Sequence, residues 1–174
     1  LIVSGPGVRG AGELNKEAVL HVEDIAPTLL DLAGVQHPST FEGREIVPMQ
    51  GKSWVGMLEG KTESPRNSGD WLGWELFGNR AIRRGDWKSS WLYRPYGIWD
   101  WQLFNLADDL GEQFDLSEKF PEKKKELVAL WDEYVKTNGV IIGDRSLLEG
   151  HRKGLPDPVV EDDNYPPIRG MEQI

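Results

Sequence analysis

Two residues near the start of the chain, His21 and Asp24, have the types and spacing of a general base and the carboxylate that orients it. They lie three positions apart in LHVEDIAPTLLDLAGV, residues 20–35. A structural explanation competes, because Asp24 opens a helical pattern and could cap the unpaired N–H groups of its first turn. The neighbouring sequence supplies no Ser or Cys nucleophile. We therefore expect this pair to be structural.

Histidine and carboxylate clusters are the other candidates for chemistry. His21, His37 and His151 are isolated and show no HxH or HExxH spacing. DDLGE at 108–112 and EDD at 161–163 could hold calcium, but neither has the alternating ligands of an EF-hand loop. We predict a β-turn in the first and a solvated tail in the second. The sequence thus nominates no catalytic residue and no metal ligand.

Two further motifs favour ordinary structural roles. GPGVRGAG at 5–12 resembles a phosphate-binding loop only superficially, since it lacks the Lys-Ser/Thr pair. The basic run 123–125 begins a helix and is typical of a solvated face. The net charge of -9 argues against a nucleic-acid partner. No apolar run reaches the roughly 18 to 20 residues that span a bilayer, which predicts a chain without a membrane span.

Tryptophan is the most unusual part of the composition. The chain has 8 Trp and no Cys, and most of the tryptophans lie between Trp71 and Trp101. Exposed Trp faces stack on sugars, so a glycan-binding module is an alternative interpretation. A thin domain also needs large aromatics to fill its core, and we expect that role for most of them.

The first part of the chain, residues 1–60, predicts elements of a larger α/β domain. LIVSG reads as a short buried strand, residues 18–22 as a second extended segment, and SWVGMLEG as one helical turn. Ile25, Leu29 and Leu32 follow a helical period that Gly34 ends. We expect Leu29 and Leu32, with residues 1–3, to need packing partners that this sequence does not supply. The opening inside a strand predicts a truncated N-terminus.

The second part predicts a small α+β domain at 71–144, after a breaker-rich linker at 61–70. Four short aromatic or β-branched segments indicate an antiparallel four-stranded sheet: WLGWELF, NRAIRRG, DWKSSWLYR and WQLFNL. One helix follows from about Pro121 to Asn138 with Leu127, Leu130 and Trp131 on one face, and Gly139 stops it. Residues 145–174 read as an extended tail.

Four stretches, taken in order, resemble the C-terminal portion of the sulfatase family, which has an alkaline phosphatase-like fold, and most closely the bacterial arylsulfatases. They are HVEDIAPTLLDLAGV, GREIVPMQGKSW, WELFGNRAIRRGDWK and WQLFNLADDLGEQFDLSEKFPEKKKELVALWDEYVKTNGVI. The order and spacing match from Leu1 to about Asp144. Leu110 departs from the pattern, where the family commonly has Pro. The departure bears only on the rigidity of that turn, because Gly111 and Glu112 match.

This resemblance implies an α/β parent fold of which residues 1–60 close the large domain. It implies a formylglycine nucleophile, made from Cys or Ser in a C/S-x-P-x-R motif, and a divalent metal, expected to be calcium. No such motif occurs in this sequence, so the resemblance places both upstream of Leu1. The chain is then a fragment of a sulfuric ester hydrolase, inactive by itself, whose partner is the missing N-terminal part and whose parent binds a sulfate ester.

Two alternatives stay open at this point. The parent could hydrolyse phosphonates or phosphodiesters, since related superfamily members share the architecture, or the chain could be a Trp-rich glycan-binding module. The sequence leaves the compartment of the protein open.

Overall fold

The computed structural model describes residues 1–10, 12–93 and 96–142. The chain divides into two compact units, the first comprising Leu1–Asn67 and the second beginning at Ser68. In the described ranges, no helix is both long enough and apolar enough to cross a membrane. The predicted tail, with His151 and the EDD cluster, lies outside the described residues.

The first unit contains short helices and one small hairpin. A 3-10 turn at Val22–Asp24 runs into helix α1 (Ile25–Leu32). The other elements of the first unit are β1 (Thr40–Phe41), β2 (Arg44–Glu45) and α2 (Val55–Leu58). Strands β1 and β2 pair antiparallel. Gly34, at a φ of 67°, follows the end of α1 as the sequence predicts. The single helical turn predicted in SWVGMLEG is α2.

The prediction of two extended segments near the start of the chain is wrong. Residues 1–5 and 18–22 form no strand, and Leu1 and Ile2 are 81% and 96% exposed. An apolar run becomes a strand only when a neighbouring strand accepts its backbone hydrogen bonds. No strand of the described ranges pairs with these segments.

Helix α1 turns an apolar face to the outside. Val22, Ile25, Leu29 and Leu32, here called the α1 stripe, are 73%, 39%, 61% and 60% exposed. They recur at the three- and four-residue spacing that places side chains on one side of a helix. The helix is thus amphipathic as predicted, but its apolar side is largely exposed to solvent.

The second unit is the predicted sheet-plus-helix fold. Its sheet is a meander of four strands that pair antiparallel in chain order: β3 (Trp71–Leu76), β4 (Asn79–Arg84), β5 (Trp87–Trp91) and β6 (Trp101–Asn105). Helix α3 (Pro121–Asn138) packs on one face of this sheet. Pro121 occupies its first turn, and Gly139 ends it in the left-handed conformation at a φ of 61°.

The core of the second unit lies between the sheet and α3. Ile82 of β4, Leu103 of β6 and Leu127 of α3 have no exposed surface, and Trp131 retains 2%. Residues packed around them are Trp71, Trp87, Trp101, Leu116, Leu130, Tyr134 and Val135. Four of the tryptophans therefore fill the core, as predicted.

A glycine sets how closely the helix approaches the sheet. A Cβ atom at Gly73 would lie 2.5 Å from Cγ of Tyr134, far inside van der Waals contact. The Tyr134 ring therefore lies directly over the backbone of β3 and meets Trp71 edge to face, with 6.0 Å between centroids. Only glycine leaves room for this packing.

The loop after β6 covers the outer edge of that strand. The Leu103 N–H donates to the Asp115 carboxylate (3.0 Å), the Leu116 N–H donates to the Leu103 carbonyl (2.7 Å), and the Ser117 hydroxyl donates to the Trp101 carbonyl (3.3 Å). Backbone groups that an edge strand would leave unpaired are thus satisfied.

We expect Leu127→Ala to destabilise the second unit by about 2 to 5 kcal/mol, because it opens a cavity in a fully buried layer. Urea unfolding followed by tryptophan fluorescence measures the change. Leu110→Ala, at a leucine that is 81% exposed, is the control and should stay within about 0.5 kcal/mol. Equal effects of the two variants would contradict the assigned core.

Candidate functional site

Asp24, the carboxylate that the sequence singles out, is completely buried. The 3-10 turn brings its side chain back over the preceding backbone, so that the His21 N–H donates to Oδ2 at 2.7 Å. From the loop before α2, the Lys52 N–H donates to Oδ1 at 2.8 Å. Each oxygen of the carboxylate therefore accepts one backbone hydrogen bond.

Arg66 supplies the opposite charge. Its Nη1 lies 2.5 Å from Oδ2 of Asp24 and its Nη2 lies 2.6 Å from Oδ1, a two-pronged contact. Nη1 also donates to the Val19 carbonyl at 3.1 Å. Only 9% of the Arg66 side chain is exposed. This geometry is the strongest form of an arginine–carboxylate pair.

The surroundings of Asp24 fix its ionisation. Burial raises the pKa of the Asp24 carboxyl. Hydrogen bonds lower it, from the Arg66 side chain and from the Lys52 and His21 N–H groups, and so does the positive charge of Arg66. The lowering effects are the larger, so the pKa of Asp24 lies below its ordinary value. Asp24 is therefore a permanent anion near neutral pH. A group that holds its proton so weakly is poorly suited to act as a general base there.

Close backbone packing supports the ion pair. A Cβ atom at Gly51 would lie 2.0 Å from the Glu23 carbonyl oxygen, so only glycine allows the loop to approach the 3-10 turn. Inside α1, the Thr28 hydroxyl donates to the Asp24 carbonyl at 2.6 Å and accepts the Trp54 N–H at 3.1 Å. Thr28 is 2% exposed, and it joins α1 to α2.

The predicted helix-capping role of Asp24 is wrong in its details. The carboxylate makes no capping hydrogen bond to the first turn of α1. It turns instead toward Lys52 and Arg66, because a guanidinium offers a charge-assisted bond that the turn's N–H groups cannot match. Sequence reasoning missed Arg66, which lies 42 positions from Asp24, in the stretch predicted to be a linker. No local pattern connects the two residues.

His21 contributes its backbone to this cluster, while its imidazole faces another carboxylate. Its Nδ1 lies 3.4 Å from Oε1 of Glu23, and its side chain is 18% exposed. The Asp24 oxygens accept Arg66 and backbone N–H groups. In this geometry the Asp24 carboxylate is committed to Arg66 and to backbone N–H groups rather than to the His21 imidazole.

The carboxylates of 108–112 form a turn. Asp109 accepts the N–H groups of Gln113 and Phe114, and Glu112 pairs with Lys88 at 2.5 Å. Over the part of the chain that the structure describes, no group of three or more His, Asp or Glu side chains is arranged to hold a metal ion. His37 lines a shallow cleft of about 500 Å³ together with Leu30 and Val35.

A second candidate site lies in the second unit, where the sequence favours core tryptophans and leaves a glycan-binding surface as the alternative. Trp91 at the end of β5, Tyr93 and Trp99 form a group in which the Trp91 and Tyr93 centroids are 4.9 Å apart, and those of Tyr93 and Trp99 are 5.4 Å apart. The Arg80 guanidinium lies 4.6 Å from the Trp91 ring centroid, in a cation–π contact. We call these four residues the aromatic end. Trp99 is 39% exposed, which sets this group apart from the core.

Backbone geometry is unusual beside these rings. Trp99 has a φ of 64° and Phe77, in the β3–β4 turn, a φ of 51°. Bulky side chains rarely adopt this left-handed region. The Tyr93 ring packs against Gly78 of the same turn, where a Cβ atom would lie 2.5 Å from the Tyr93 hydroxyl.

Comparison with known proteins gives a consistent set of relatives. An uncharacterized sulfatase of Schizosaccharomyces pombe is 38% identical over 122 residues, which cover 69% of this chain and 22% of that protein. Human arylsulfatase K is 27% identical over 128 residues, covering 70% of this chain and 23% of the enzyme. No protein-family profile matches.

Solved structures show the same fold. A Bacteroides thetaiotaomicron protein assigned to the sulfatases has a TM-score of 0.56 at 23% identity, over 76% of this chain and 28% of its own. A 2-O GAG sulfatase gives a TM-score of 0.51 at 23% identity over the same shares. This chain spans less than a third of the length of these relatives.

Removing the buried carboxylate should be costly. We expect Asp24→Ala to destabilise the first unit by about 3 to 5 kcal/mol, because buried Arg66 loses its two-pronged partner and keeps only a contact of 3.7 Å with Glu23. The double variant Asp24→Leu with Arg66→Met should recover part of that loss, because the His21 and Lys52 N–H groups still lack an acceptor. His21→Ala should cost less than about 1 kcal/mol. Native-state hydrogen exchange of the α1 amides measures each change. A loss in the double variant as large as in Asp24→Ala would contradict this role of the pair.

Acid should weaken the first unit through the same residue. Because the folded-state pKa of Asp24 is lowered, its contribution to stability is complete above the unfolded value, about 3.9, and is lost as the pH falls through the folded value. The difference in unfolding free energy between the parent chain and Asp24→Asn should therefore shrink as the pH falls below about 4. A difference that stays constant with pH would show that Asp24 is not the titrating group.

Proposed function

Because this chain belongs to the sulfatase family and corresponds to a C-terminal portion of its longer members, we propose that it completes a sulfuric ester hydrolase rather than catalysing hydrolysis by itself. Its task is to support the fold of that enzyme. The observation that carries the proposal is the α1 stripe. Three large apolar side chains of α1, and Val22 of the 3-10 turn before it, stand exposed, whereas the opposite side of α1 is fixed. This is the arrangement of an element that packs against a further body.

The size of the exposed surface supports this interpretation. Burial of apolar area stabilises by about 25 cal/mol per Å², so leaving four such side chains in water forfeits several kcal/mol. That amount is comparable with the whole stability of a small domain. Scattered single exposures are normal on a protein surface, but a continuous stripe is typical of an interface.

The Asp24–Arg66 pair gives this surface its orientation. Asp24 ends the 3-10 turn that begins at Val22 and immediately precedes α1, and the ion pair ties that turn to the Lys52 loop and to Arg66. Thr28 ties the next turn of the helix to Trp54. With one side of the helix held by buried polar contacts, the stripe presents a rigid surface, which lowers the entropy lost when a partner packs on it.

We place the metal ion and the formylglycine of the proposed enzyme outside these 174 residues. The sequence has no C/S-x-P-x-R motif, and the carboxylates and histidines of the described ranges do not fit a divalent cation. No step of sulfate ester hydrolysis is therefore assigned to a residue of this chain. The longer relatives, of which it covers 22% to 24%, leave ample room for those groups.

The proposal predicts activity only in the longer enzyme. Protein made from the complete coding region should hydrolyse 4-nitrophenyl sulfate, whereas the 174-residue chain should not. Preference for bis(4-nitrophenyl) phosphate would instead assign the enzyme to phosphodiester hydrolysis. Leu29→Asp with Leu32→Asp should sharply reduce the yield of soluble active enzyme, because two charges would be buried without partners. Leu110→Asp, at an exposed leucine of the second unit, is the matched control. Metal-dependent turnover by the 174-residue chain would overturn the proposal.

A further inference from the structure

We propose that a groove on the outside of α3 is the docking site of the acidic segment at residues 159–163 of this same chain. The inference goes beyond the proposed function and does not depend on it, because it concerns a surface of the second unit alone. The segment reads Val-Val-Glu-Asp-Asp. It lies outside the described residues, whereas every residue named below as lining the groove is described.

The groove, here called the α3 groove, follows one side of the helix beside the first residue of β6. It has a volume of about 390 Å³, and its lining includes Trp101 of β6 and Lys124, Lys125, Val128, Ala129 and Asp132 of α3. The helical members recur at three- and four-residue spacing, so they form one continuous stripe along α3. Trp101 and Val128 are half-buried and Ala129 is exposed. The α3 groove therefore presents an apolar floor to water.

Charge is divided along the α3 groove. Lys124 and Lys125 lie toward the N-terminal end of the helix, and Asp132 lies about two turns further on. The Lys124 ammonium is 3.3 Å from Oδ2 of Asp100, a carboxylate whose side chain is 65% exposed. Lys125 is exposed, and it makes no ion pair or hydrogen bond with the residues that the structure describes. The N-terminal half of the groove thus offers a cation to an anionic ligand, one helical turn from the apolar floor.

The order of residues in the segment matches the order of features along the groove. A chain that returns along α3 from its C-terminal end meets Asp132 first, then the apolar floor and last the lysines. Residues 159–163 supply two valines first and three carboxylates next. Lys125 lies about 4.5 Å from Val128 along the helix axis, and successive residues of an extended segment are about 3.3 Å apart. With the valines on the apolar floor, the carboxylate of Glu161 therefore reaches the Lys125 ammonium.

Length and tethering favour this segment over a separate acidic partner. The stretch between Ile142 and Val159 extends over up to about 55 Å, whereas the return along α3 from Asn138 to Lys124 requires only about 21 Å. A tethered ligand meets its site at an effective concentration on the order of millimolar. It also avoids most of the translational and rotational entropy that two separate molecules lose on association. A weak contact is therefore enough to keep the α3 groove occupied.

Zero-length cross-linking of the full 174-residue chain tests this docking. A water-soluble carbodiimide joins an ammonium group to a carboxylate in direct contact, and mass spectrometry of the digested chain identifies the linked residues. The Lys124–Asp100 pair, at 3.3 Å, is the positive control. Lys136 is exposed on α3 and closer in sequence to the segment, so a segment that meets the helix at random would link to it at least as often. We expect residues 161–163 to link to Lys125 at least about fivefold more than to Lys136, and about 0.5 M NaCl to abolish the preference.

A pair of variants separates the apolar contact from the charges. Val159→Ser with Val160→Ser keeps every charge and should lower the yield of the Lys125 link at least about threefold, because the apolar floor loses its partner. Ile168→Ser, at an apolar residue beyond the segment, is the matched control and should leave that yield unchanged. Neither variant alters a residue of the sheet or of α3.

Three results would each overturn the docking. They are a Lys125 link no more frequent than the Lys136 link, a yield unchanged by the valine substitutions, and no link from residues 161–163 in a sample that forms the Lys124–Asp100 link. Links between 15N-labelled and unlabelled chains in a mixed sample would identify a second copy as the occupant and would equally overturn it. The readout involves no turnover, so a failure of ester hydrolysis in the longer enzyme would count against the proposed function alone.

Discussion

The first unit depends on one buried negative charge. Asp24 has no exposed surface, and an unpaired carboxylate in such a place would cost several kcal/mol. Four N–H donors come to it from three separate stretches of chain, at His21, Lys52 and Arg66. The 3-10 turn, the loop that Gly51 allows to approach and the segment that carries Arg66 supply these donors. Remove the charge alone, and the donors are left without an acceptor.

The second unit is built on a different principle. Its core is a layer of apolar side chains between sheet and helix, with charges confined to the margin, where Arg84 of β4 pairs with Glu126 of α3. Shape rather than charge decides the packing there, since Gly73 lets the Tyr134 ring lie against the strand. Such a core is sensitive to changes of volume.

The sequence predicts the second unit far better than the first. The period of Leu127, Leu130 and Trp131, bounded by Pro121 and Gly139, defines α3 locally, and turn residues separate the four strands. In the first unit the decisive contact joins Asp24 to Arg66, which is distant in sequence, and no pattern near Arg66 predicts that contact. The strand predicted at residues 1–5 is wrong for a related reason, because a strand forms only where a second segment pairs with it.

The candidate sites divide in the same way. The structural role expected for His21 and Asp24 follows from their position beside a helix start. That position does not predict that Arg66 is the partner of the Asp24 carboxylate. For the tryptophans, composition predicts a core and is right for Trp71, Trp87, Trp101 and Trp131. It cannot separate these from Trp91 and Trp99, since even Trp91, which lies directly opposite Trp101 in the sheet, is not part of the core.

The meander of the second unit has a consequence for the order of folding. Each strand pairs with the next along the chain, and only two residues separate β3 from β4 and β4 from β5. Short closures of this kind lose little loop entropy and favour fast folding. In the first unit, Asp24 must wait for a residue 42 positions later. During synthesis, its carboxylate therefore stays hydrated until Arg66 has left the ribosome, whereas each hairpin of the sheet can form soon after its second strand emerges.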